Sequence, residues 1–515
     1  MSVETREKKS PVLVTGATGY VAGRLVPLLL DSGYRVRTMG RSIEKMADRA
    51  WGNHPNVELV AGDIMDRESL KKAAKGCTTI YYLVHSMISQ KDGYRNADIT
   101  GAKNMAWAAE QVKAGHIIYL GGLGDINHKN ISKHLISRNE VGTILQQGSV
   151  PATVLRAAMI LGSGSASFEI LRYLAERLPV MLTPKWISMP TQPIAITNVL
   201  EYLKGCMEHP ETRGNTYDIG GPDQIAYQDL FKTFARVAGL PVPVMIKLPF
   251  LTPRLSSLWI HLITPVPAAI ARPLAEGLSL PTLCTENRIN QIIPVKLISC
   301  KEAIKRALDR IRLEQVDTRW SDAGALVRPE WAYCGDSSYS GGTILQCGYR
   351  ARVKAGAPDL WPAVGRIGGK TGYYAADVLW KIRGFLDQLT GGVGLNRGRR
   401  SPDTLQTGDA LDFWRVLEIA PPVKLVLAAE MRTPGEALLE VRVNPIDNAQ
   451  CELVLLSRFF PKGLFGILYW YILYPFHEYL FSHMLMGMVR SENLELLTPP
   501  ERFTPKLNPS CRRQP

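Results

Sequence analysis

A glycine-rich turn near the start of the sequence constrains the fold more than any other feature. Residues 12–14 form a short apolar run, and after Thr15 the segment GATG follows at residues 16–19. Apolar residues then recur at helical spacing over 21–30, Gly33 ends that helix, and 34–39 reads as a second strand. A strand, a glycine turn, a helix and a strand in this order are typical of a dinucleotide-binding fold.

The small residues of this turn suit a ligand that carries phosphate. Gly16 permits a sharp turn, and Gly19 permits backbone N–H groups to approach a pyrophosphate. The N-terminal end of the following helix carries a partial positive charge that favours the same anion. We therefore predict cofactor contacts from Gly16, Thr18, Gly19, Tyr20 and Val21. The alternative is a tight turn with a structural role alone.

The end of the second predicted strand indicates which dinucleotide binds. An Asp or Glu there would bind the ribose hydroxyls of NAD, but the sequence has Met39, Gly40 and Arg41, with Arg37 nearby. Arginine suits a 2′-phosphate, so we expect Arg41 to contact the cofactor and NADP(H) to be favoured over NAD(H). The alternative is that Arg41 lies solvated in a loop.

Later strands should place further residues beside the cofactor, because ligands bind at the carboxyl ends of parallel strands. The predicted third, fourth and fifth strands cover 56–60, 78–84 and 116–120. The residues expected to reach the cofactor at their ends are Asp63, Ile64, Leu83, Val84, His85, Gly121 and Gly122. Asp63 is also a candidate N-cap for a helix over 67–75, and His85 is also a candidate polar turn residue.

The segments VTGATGYVAGRLV, AGDIMDRESL and IIYLGGLG resemble the atypical short-chain dehydrogenase/reductases. The most similar branch comprises the NmrA-like proteins and the relatives of the accessory nucleotide-binding subunit of respiratory complex I. This resemblance implies an extended α/β Rossmann domain with a parallel sheet and bound NADP(H) or NAD(H). We place it at residues 10–315, including a small helical subdomain on the substrate side, after a flexible tail at residues 1–9.

The sequence departs from that family at its proton-transfer residues. Working members carry a Ser or Thr after the fifth strand and a Tyr-x-x-x-Lys on the next helix, where the lysine lowers the pKa of the proton-donating tyrosine. Here the serine position falls near Gly121, and the tyrosine and lysine positions hold His134 and Arg138. Histidine can transfer a proton at neutral pH, whereas arginine can hold a ribose or phosphate but keeps its proton. We predict both as catalytic residues; the alternative is a redox-silent domain that holds a cofactor.

The region that borders substrate in the extended family offers further candidates. Ser165, Phe168 and Arg172 lie after the sixth predicted strand, although capping and packing explain Ser165 and Phe168 equally well. Residues 240–283 are apolar and repeatedly broken by proline, which prevents one long helix. Short helices here would cover a pocket, touch a membrane surface, or cover a core of their own.

The second half of the chain changes to alternating patterns. Period-two runs at 342–353, 412–419, 424–431, 437–443 and 451–459 predict an antiparallel sheet. The pattern also predicts helices over 374–390 and 463–490, which together with the sheet suggest an α+β helix-grip, START-like domain.

Specific segments support that assignment. GGKTGYYAADVLWKIRGFLDQLTGGVGLNRGRR, GDALDFWRVLEI and AAEMRTPGEALLEV resemble a bacterial domain of unknown function (DUF2867) that often follows NmrA-like domains. We place this domain at 326–492, followed by a flexible tail at 493–515. The resemblance implies a cavity suited to an apolar ligand but no established reaction.

Two local features of the second half have alternative explanations. The arginines 397, 399 and 400 precede Asp409, Asp412 and Arg415, and we expect ion pairs that either line a cavity or, at the surface, fix a loop to the sheet. The apolar run 463–476 is too short to span a bilayer, so we expect a buried helix, with peripheral membrane contact as the alternative.

Composition limits the partners and the compartment. A hydrophobic content of 46% and a mean hydropathy of −0.04 are ordinary for a globular protein. The net charge of +14 favours anionic partners such as a phosphate-rich cofactor or acidic lipid; no nucleic-acid module is recognisable, so we expect no nucleic-acid partner. Eight dispersed cysteines indicate neither a metal site nor a disulfide framework. With no secretory apolar segment, we expect a cytoplasmic protein, or one peripheral at the inner face of the membrane.

Three functional hypotheses follow. The first is an NAD(P)H-binding oxidoreductase whose START-like domain holds a hydrophobic small-molecule substrate, quinone-like or lipid-like. The second is a non-catalytic NAD(P)-sensing or complex-assembly protein, which the missing Tyr-x-x-x-Lys favours. The third is a lipid-transfer protein that the nucleotide regulates.

Overall fold

The computed structural model describes residues 10–85, 94–125, 128, 131–248, 252–264, 266, 268–312, 344–395 and 397–503. The chain divides into two compact units, Met1–Ala325 and Leu326–Pro515. The predicted N-terminal tail, residues 1–9, lies outside the described residues, as does 504–515.

The first unit alternates strands and helices along most of its length. Its elements are β1 (Val12–Thr15), α1 (Ala22–Asp31), β2 (Val36–Gly40), α2 (Ile43–Ala47), β3 (Val57–Ala61), α3 (Arg67–Ala74), β4 (Thr79–Tyr82), α4 (Tyr94–Gln111), β5 (His116–Gly122), α5 (Lys133–Gln146), β6 (Ala152–Ala157), β7 (Ile160–Leu161), α6 (Ala166–Arg177), β8 (Val180–Pro184), β9 (Pro190–Thr191), β10 (Ile194–Ala195), α7 (Ile196–Glu208), β11 (Thr216–Ile219), β12 (Ile225–Ala226), α8 (Tyr227–Ala238), β13 (Val244–Leu248), α9 (Pro253–Ile263), α10 (Ala268–Gly277), α11 (Ile289–Ile292) and α12 (Cys300–Arg312). Short 3₁₀ helices lie at Lys185–Ser188 and Pro210–Thr212.

Within the described part of this unit, seven strands form a parallel sheet in the order β11-β6-β5-β4-β1-β2-β3. The chain runs outward from β1 to β3 on one side and from β4 to β11 on the other. The strand order therefore reverses between β1 and β4, and in doubly wound sheets the ligand crevice lies at this reversal. The predicted Rossmann-type fold is confirmed.

Helices cover both faces of this sheet, which explains why β1 is buried throughout. Val12 and Val14 belong to one core cluster together with Leu25 of α1, and Leu13 belongs to a second cluster on the opposite face together with Ile80 of β4. Alternate side chains of a strand point to opposite faces, so a strand covered on both sides reads as a continuous apolar run.

The helical subdomain of the first unit builds a separate small core. Leu174 of α6, Met181 of β8, Ile260 of α9 and Ile270 of α10 pack together there. The proline-rich segment predicted to form short helices therefore contributes α9 and α10, and these helices pack against α6 and β8.

The second unit is an antiparallel sheet with helices. Its elements are β14 (Leu345–Val353), α13 (Ala357–Gly365), α14 (Asp377–Leu389), β15 (Ala410–Leu411), β16 (Trp414–Ala420), β17 (Lys424–Ala429), β18 (Gly435–Pro445), β19 (Cys451–Pro461), α15 (Gly463–Ser491) and β20 (Glu501–Phe503). Among the described residues the strand order is β15-β16-β17-β18-β19-β14-β20. Glu501–Phe503 pair with β14, so part of the segment predicted as a tail, 493–515, is a strand of the sheet.

The long helix α15 corrects one prediction. Its second half packs on the sheet through buried Phe481, Met484, Leu485 and Met488, as a helix-grip arrangement requires. Its first half, predicted as buried, instead exposes most of its apolar side chains and buries mainly Gly466 and Trp470. The absence of charge suggested burial. However, only one side of this helix half, the side of Gly466 and Trp470, is covered.

Candidate functional site

The glycine turn after β1 brings the ends of β1 and β4 together. The φ angle of Gly16 is +65°, a left-handed conformation that side chains disfavour. A Cβ atom at Gly16 would lie 3.2 Å from the Leu83 carbonyl oxygen and 3.3 Å from Val84 Cγ2. Thr15 Oγ1 donates to the Tyr81 carbonyl (3.0 Å) and accepts from the Leu83 N–H (3.1 Å). The turn therefore packs directly against the carboxyl end of β4.

This turn fits the pyrophosphate of a dinucleotide. A Cβ atom at Gly19 would lie only 3.0 Å from the Gly16 carbonyl oxygen, so a side chain would crowd the cradle. The helix α1 begins at Ala22, directly after Thr18, Gly19, Tyr20 and Val21, so the partial positive charge of its N-terminal end lies next to the turn. The predicted contacts of these residues with a cofactor stay predictions.

Two arginines, Arg37 within β2 and Arg41 directly after it, are near the predicted site of the cofactor ribose. Arg41 is exposed directly after the strand, at the edge where a ribose would lie. Arg37 is engaged elsewhere: it pairs with Glu58 (2.8 Å) and donates to the Ala73 and Lys75 carbonyls. Of the two, Arg41 is therefore the side chain free to meet a 2′-phosphate.

The residues after β3 differ partly from the prediction. Asp66, not Asp63, caps the helix α3 by accepting from the Glu68 and Ser69 N–H groups. Asp63 instead accepts from the Met65 N–H (2.9 Å), so its carboxylate shapes the loop after the strand. Ile64 is buried and belongs to a core cluster with Leu70 and Ile80, and its predicted contact with a cofactor stays a prediction. The alternative role of Asp63 as the N-cap of α3 is wrong. Two aspartates precede this helix, and the one directly before it, Asp66, is the cap.

A cavity of about 300 Å³ opens beside the glycine turn. The predicted site residues that line it are Tyr20, Val21, His85, Gly121, Gly122, His134 and Arg138. Apolar side chains from α6, α8, α9 and α10 form most of the remaining lining, including Leu171, Phe231, Ile260 and Leu274. The cavity thus joins the crevice at β1 and β4 to an apolar chamber beneath the helical subdomain.

His134 and Arg138 lie one turn apart on α5, and both face the cavity. The rings of His134 and His85 lie 5.0 Å apart between centroids. The atoms His134 Nδ1, His85 Nε2 and Arg138 Nε are buried and have no hydrogen-bond partner among the described residues. Buried polar atoms are usually paired, so these atoms are available to a bound molecule.

Burial and charge keep both imidazoles neutral at pH 7. Burial, together with the charge of Arg138, lowers the pKa of His85 to about 4, although nearby Asp98 opposes this change. Burial, His85 and Arg138 lower the pKa of His134 well below its usual 6.5. His134 is therefore a weak base: its neutral ring can donate one hydrogen bond and accept another, but it carries no excess proton to transfer.

A buried carboxylate balances the charge beside this pair. Asp98 of α4 lies 3.4 Å from His85 Nδ1 and accepts a hydrogen bond of 3.0 Å from Ser137 Oγ. Tyr119 donates to the Arg138 carbonyl (3.2 Å), which holds the backbone of α5 against β5. These contacts fix the positions of His85 and Arg138 at the cavity.

The candidates on α6 divide between the cavity and the core. Ser165 lines the cavity and also caps α6 by accepting from the Phe168 N–H (3.2 Å). Phe168 is fully buried against Phe234, outside the cavity lining, and Arg172 pairs with Glu169 and Glu176. Phe168 thus has the packing role that was its alternative, and neither Phe168 nor Arg172 lines the cavity.

Sequence reasoning missed two buried arginines near the glycine turn. Arg24 of α1 donates to the Ser163 carbonyl (2.8 Å), with its guanidinium 4.8 Å from the centre of the Tyr20 ring. Arg49 approaches the Thr18 carbonyl at 3.4 Å. Arg24 was visible inside the glycine motif, whereas no spacing rule pointed to Arg49.

The arginine cluster of the second unit has a structural role. Arg397 and Arg415 both pair with Glu430, and Arg400 pairs with Asp409 at 3.1 Å. Since most of these side chains are buried, the loop is fixed by buried rather than surface ion pairs. Among the described residues, no group of three or more His, Cys, Asp or Glu side chains is placed to hold a metal ion.

Comparison with known proteins agrees with this division of the chain. Residues 8–246 match the NmrA-like family, and residues 340–484 match the family described as a protein of unknown function (DUF2867). Both family resemblances are therefore confirmed. The START-like character of the second unit stays a prediction.

Individual relatives cover the first unit. A putative dihydroflavonol 4-reductase of Synechocystis sp. is 26% identical over 259 residues, which cover 45% of this chain and 73% of the relative. Cinnamoyl-CoA reductase 2 of Medicago truncatula is 22% identical over 253 residues, covering 40% and 75%. Among solved structures, the triphenylmethane reductase of Citrobacter sp. complexed with NADP(H) aligns with a TM-score of 0.48 at 20% identity, covering 57% of this chain and 99% of that one.

Proposed function

We propose that this protein, whose first unit is an NmrA-like Rossmann domain, is an NADP(H)-dependent oxidoreductase acting on an apolar small molecule. One observation carries the proposal: a single cavity joins Tyr20 and Val21 of the glycine turn to an apolar chamber, with His134 and Arg138 on its lining. Apolar pockets with a few convergent polar groups are characteristic of small-molecule sites. A quinone-like or lipid-like carbonyl compound fits this chemistry.

The residues of the chain divide the work of such a reaction. Gly16 and Gly19 admit the pyrophosphate, and Arg41 meets the 2′-phosphate. A bound nicotinamide supplies the hydride. Arg138 stabilises negative charge on a carbonyl oxygen of the substrate, because a preorganised cation in a dry cavity acts strongly on developing charge. The alkoxide takes its proton from water, relayed through the hydrogen bonds of neutral His134, and in the reverse direction the proton of the alcohol returns to water by the same route.

The cofactor preference is tested by replacing Arg41 with alanine. Loss of the guanidinium should weaken NADPH binding by roughly tenfold, because a charge-assisted phosphate contact is worth about 1.5–3 kcal/mol before solvent screening, and leave NADH binding unchanged. Isothermal titration calorimetry measures both affinities. Arg35 is also exposed but directly precedes β2, at the end of the strand opposite to Arg41. Arg35→Ala is therefore the matched control. Equal affinities of the wild type for NADPH and NADH would contradict the preference.

Catalysis is tested by NADPH oxidation against a panel of apolar quinones, ketones and enals. We expect turnover that falls by about 10²-fold or more in Arg138→Met and His134→Ala, as for the loss of other electrostatic and acid–base groups. Glu140→Gln is the control, since Glu140 lies on the same helix but pairs with Arg95 at the surface. Tight cofactor binding without turnover of any compound, together with a co-purifying partner, would support the non-catalytic alternative instead.

For the second unit we propose that it holds the apolar substrate or a related ligand. Its antiparallel sheet and long helix support this role, because helix-grip domains enclose ligands between these elements. Solvent extraction of the purified protein followed by mass spectrometry should release an apolar compound. Repeated absence of any compound, and no binding of fluorescent fatty acids or quinones, would contradict the role.

A further inference from the structure

The helix α14 of the second unit carries its apolar side chains on the outside. Val378, Ile382, Phe385, Leu386 and Leu389 recur at the spacing of one helix face, and all are exposed; Phe385 and Leu389 are 54% and 60% exposed. An amphipathic helix of a soluble domain normally turns such a stripe inward. The stripe of α14 therefore faces away from the core of its own unit.

Polar contacts hold α14 in this orientation. Asp387, on the opposite side of the helix, is buried and accepts from the Gly394 N–H (2.8 Å) and the Arg432 N–H (2.7 Å). Gln388 beside it is also buried. Rotating the helix to bury its apolar stripe would leave the Asp387 carboxylate without these partners, which is costly for a buried charge. The outward apolar face is thus built into the fold.

The first half of α15 presents a second outward apolar stripe. Leu464 and Phe465 are 79% and 81% exposed, and Leu468 and Ile472 continue the stripe one and two turns later. Residues 463–476 contain no charged side chain. Among the described residues, no helix is long and apolar enough to cross a membrane. This stripe suits a helix that lies in an interface rather than one that spans it.

Both stripes border one turn of the chain. Arg432 Nη1 donates to the Thr390 carbonyl at the end of α14 (2.7 Å). Two residues later, the Pro434 carbonyl accepts from the Lys462 N–H (2.9 Å), directly before α15. A Cβ atom at Gly466 would lie 2.3 Å from the same carbonyl oxygen, so the turn packs closely on the first turn of α15.

The charged side chains at this border are mainly basic. Lys381 of α14, Arg432 of the turn and Lys462 before α15 are all exposed. Asp377, at the start of α14, is an exposed acidic group on these elements, and the partly exposed Glu436 of β18 pairs with Lys462 at 2.9 Å. A basic rim around apolar and aromatic side chains is complementary to an anionic lipid surface.

We propose that the outward stripes of α14 and α15, called here the outer apolar face, bind the surface of a lipid bilayer that contains anionic lipid. Phe385, Phe465 and their neighbours enter the boundary between headgroups and acyl chains, while Lys381 and Lys462 remain at the phosphates. A second copy of the chain is a poorer occupant, because a symmetric dimer through this face brings two basic rims together.

Vesicle flotation of the full-length protein tests this proposal. We expect the wild type to float with vesicles of phosphatidylcholine and phosphatidylglycerol, and Phe385→Glu/Phe465→Glu to lose more than about tenfold in partitioning. Lys381→Gln and Lys462→Gln should each cost roughly fivefold on anionic vesicles and nothing on pure phosphatidylcholine. The matched control is Ile446→Glu, since Ile446 is 51% exposed but follows the far end of β18.

Three results would overturn the proposal. The first is that the wild type is absent from the floating fraction with either lipid mixture, and the second is that the double variant floats as well as the wild type. A third contradictory result is a dimer, detected by light scattering, that the double variant converts to a monomer while no form binds vesicles; a second copy would then cover the face. Circular dichroism melting of each variant establishes that an altered result does not arise from unfolding.

Discussion

Replacing His85 by glutamine should make the first unit less sensitive to acid. Burial and Arg138 lower the pKa of His85 to about 4 in the folded protein, whereas a histidine of the unfolded chain titrates near 6.5. Between these values the unfolded state binds the proton and the folded state does not. Above pH 6.5 this histidine is neutral in both states and does not destabilise the fold. As the pH drops from 6.5 towards 4, the free energy of unfolding falls.

The size of this effect follows from the two pKa values. A tenfold change in proton affinity is worth about 1.4 kcal/mol, so a fall in pKa from 6.5 to about 4 amounts to roughly 3 kcal/mol in the acid limit. About 2 kcal/mol of this is lost between pH 7 and pH 5. The glutamine variant lacks a titrating group at this position, so its unfolding free energy should fall by about 2 kcal/mol less over the same interval.

Urea unfolding at pH 7 and pH 5, followed by hydrogen exchange of peptides that contain β4 and β5, measures this difference for the first unit itself. His54, at the surface of the same unit, provides the control His54→Gln. Equal losses of unfolding free energy in the wild type and in His85→Gln would refute the electrostatic account of the cavity.

Three further predictions concern binding and stability. Gly19→Asp should abolish NADPH binding in a fluorescence titration, because a carboxylate would fill the phosphate cradle. Glu430→Gln should lower the unfolding free energy by roughly 3 kcal/mol at pH 7, measured by urea titration, since Arg397 and Arg415 would remain buried without their shared carboxylate. Trp470→Ala should cost about 3–5 kcal/mol in the same assay and weaken the near-ultraviolet circular dichroism, because the ring is buried against the sheet.

The acid dependence of Glu430 has the same sign as that of His85 but a lower range. Burial alone would raise its pKa, but the charges of Arg415 and Arg397 outweigh burial and lower it to about 2. Its contribution is therefore present above pH 4.5 and is lost as the pH falls from 4.5 to 2. In Glu430→Gln, urea titrations between pH 5 and pH 3 should show a shallower loss than in the wild type.

The sequence predicted the parts of the structure that depend on local patterns. The glycine turn, the strand after it and the period-two runs of the second half all follow from backbone conformation and side-chain alternation. Gly16 is the clearest case, because its positive φ and its close approach to Leu83 leave no room for a side chain.

Orientation and long-range contacts were less accessible. The charge-free run 463–476 predicted a buried helix, because composition alone does not tell which elements are present to cover it. The position of Phe168 after a strand left a pocket role and a packing role equally open, and only the fold shows that its side chain packs on Phe234 of a helix more than sixty residues away. The same limit explains why Arg49 was missed, since only folding brings it to the Thr18 carbonyl.

The most direct test of the central claim is a titration of the wild-type protein with NADPH, followed by the emission of the reduced nicotinamide. Binding at the glycine turn, with the nicotinamide reaching the apolar cavity beside His134, predicts saturable enhancement and a blue shift of that emission, reversed by NADP⁺. No saturable change, or binding that leaves the emission as in water, would contradict the account.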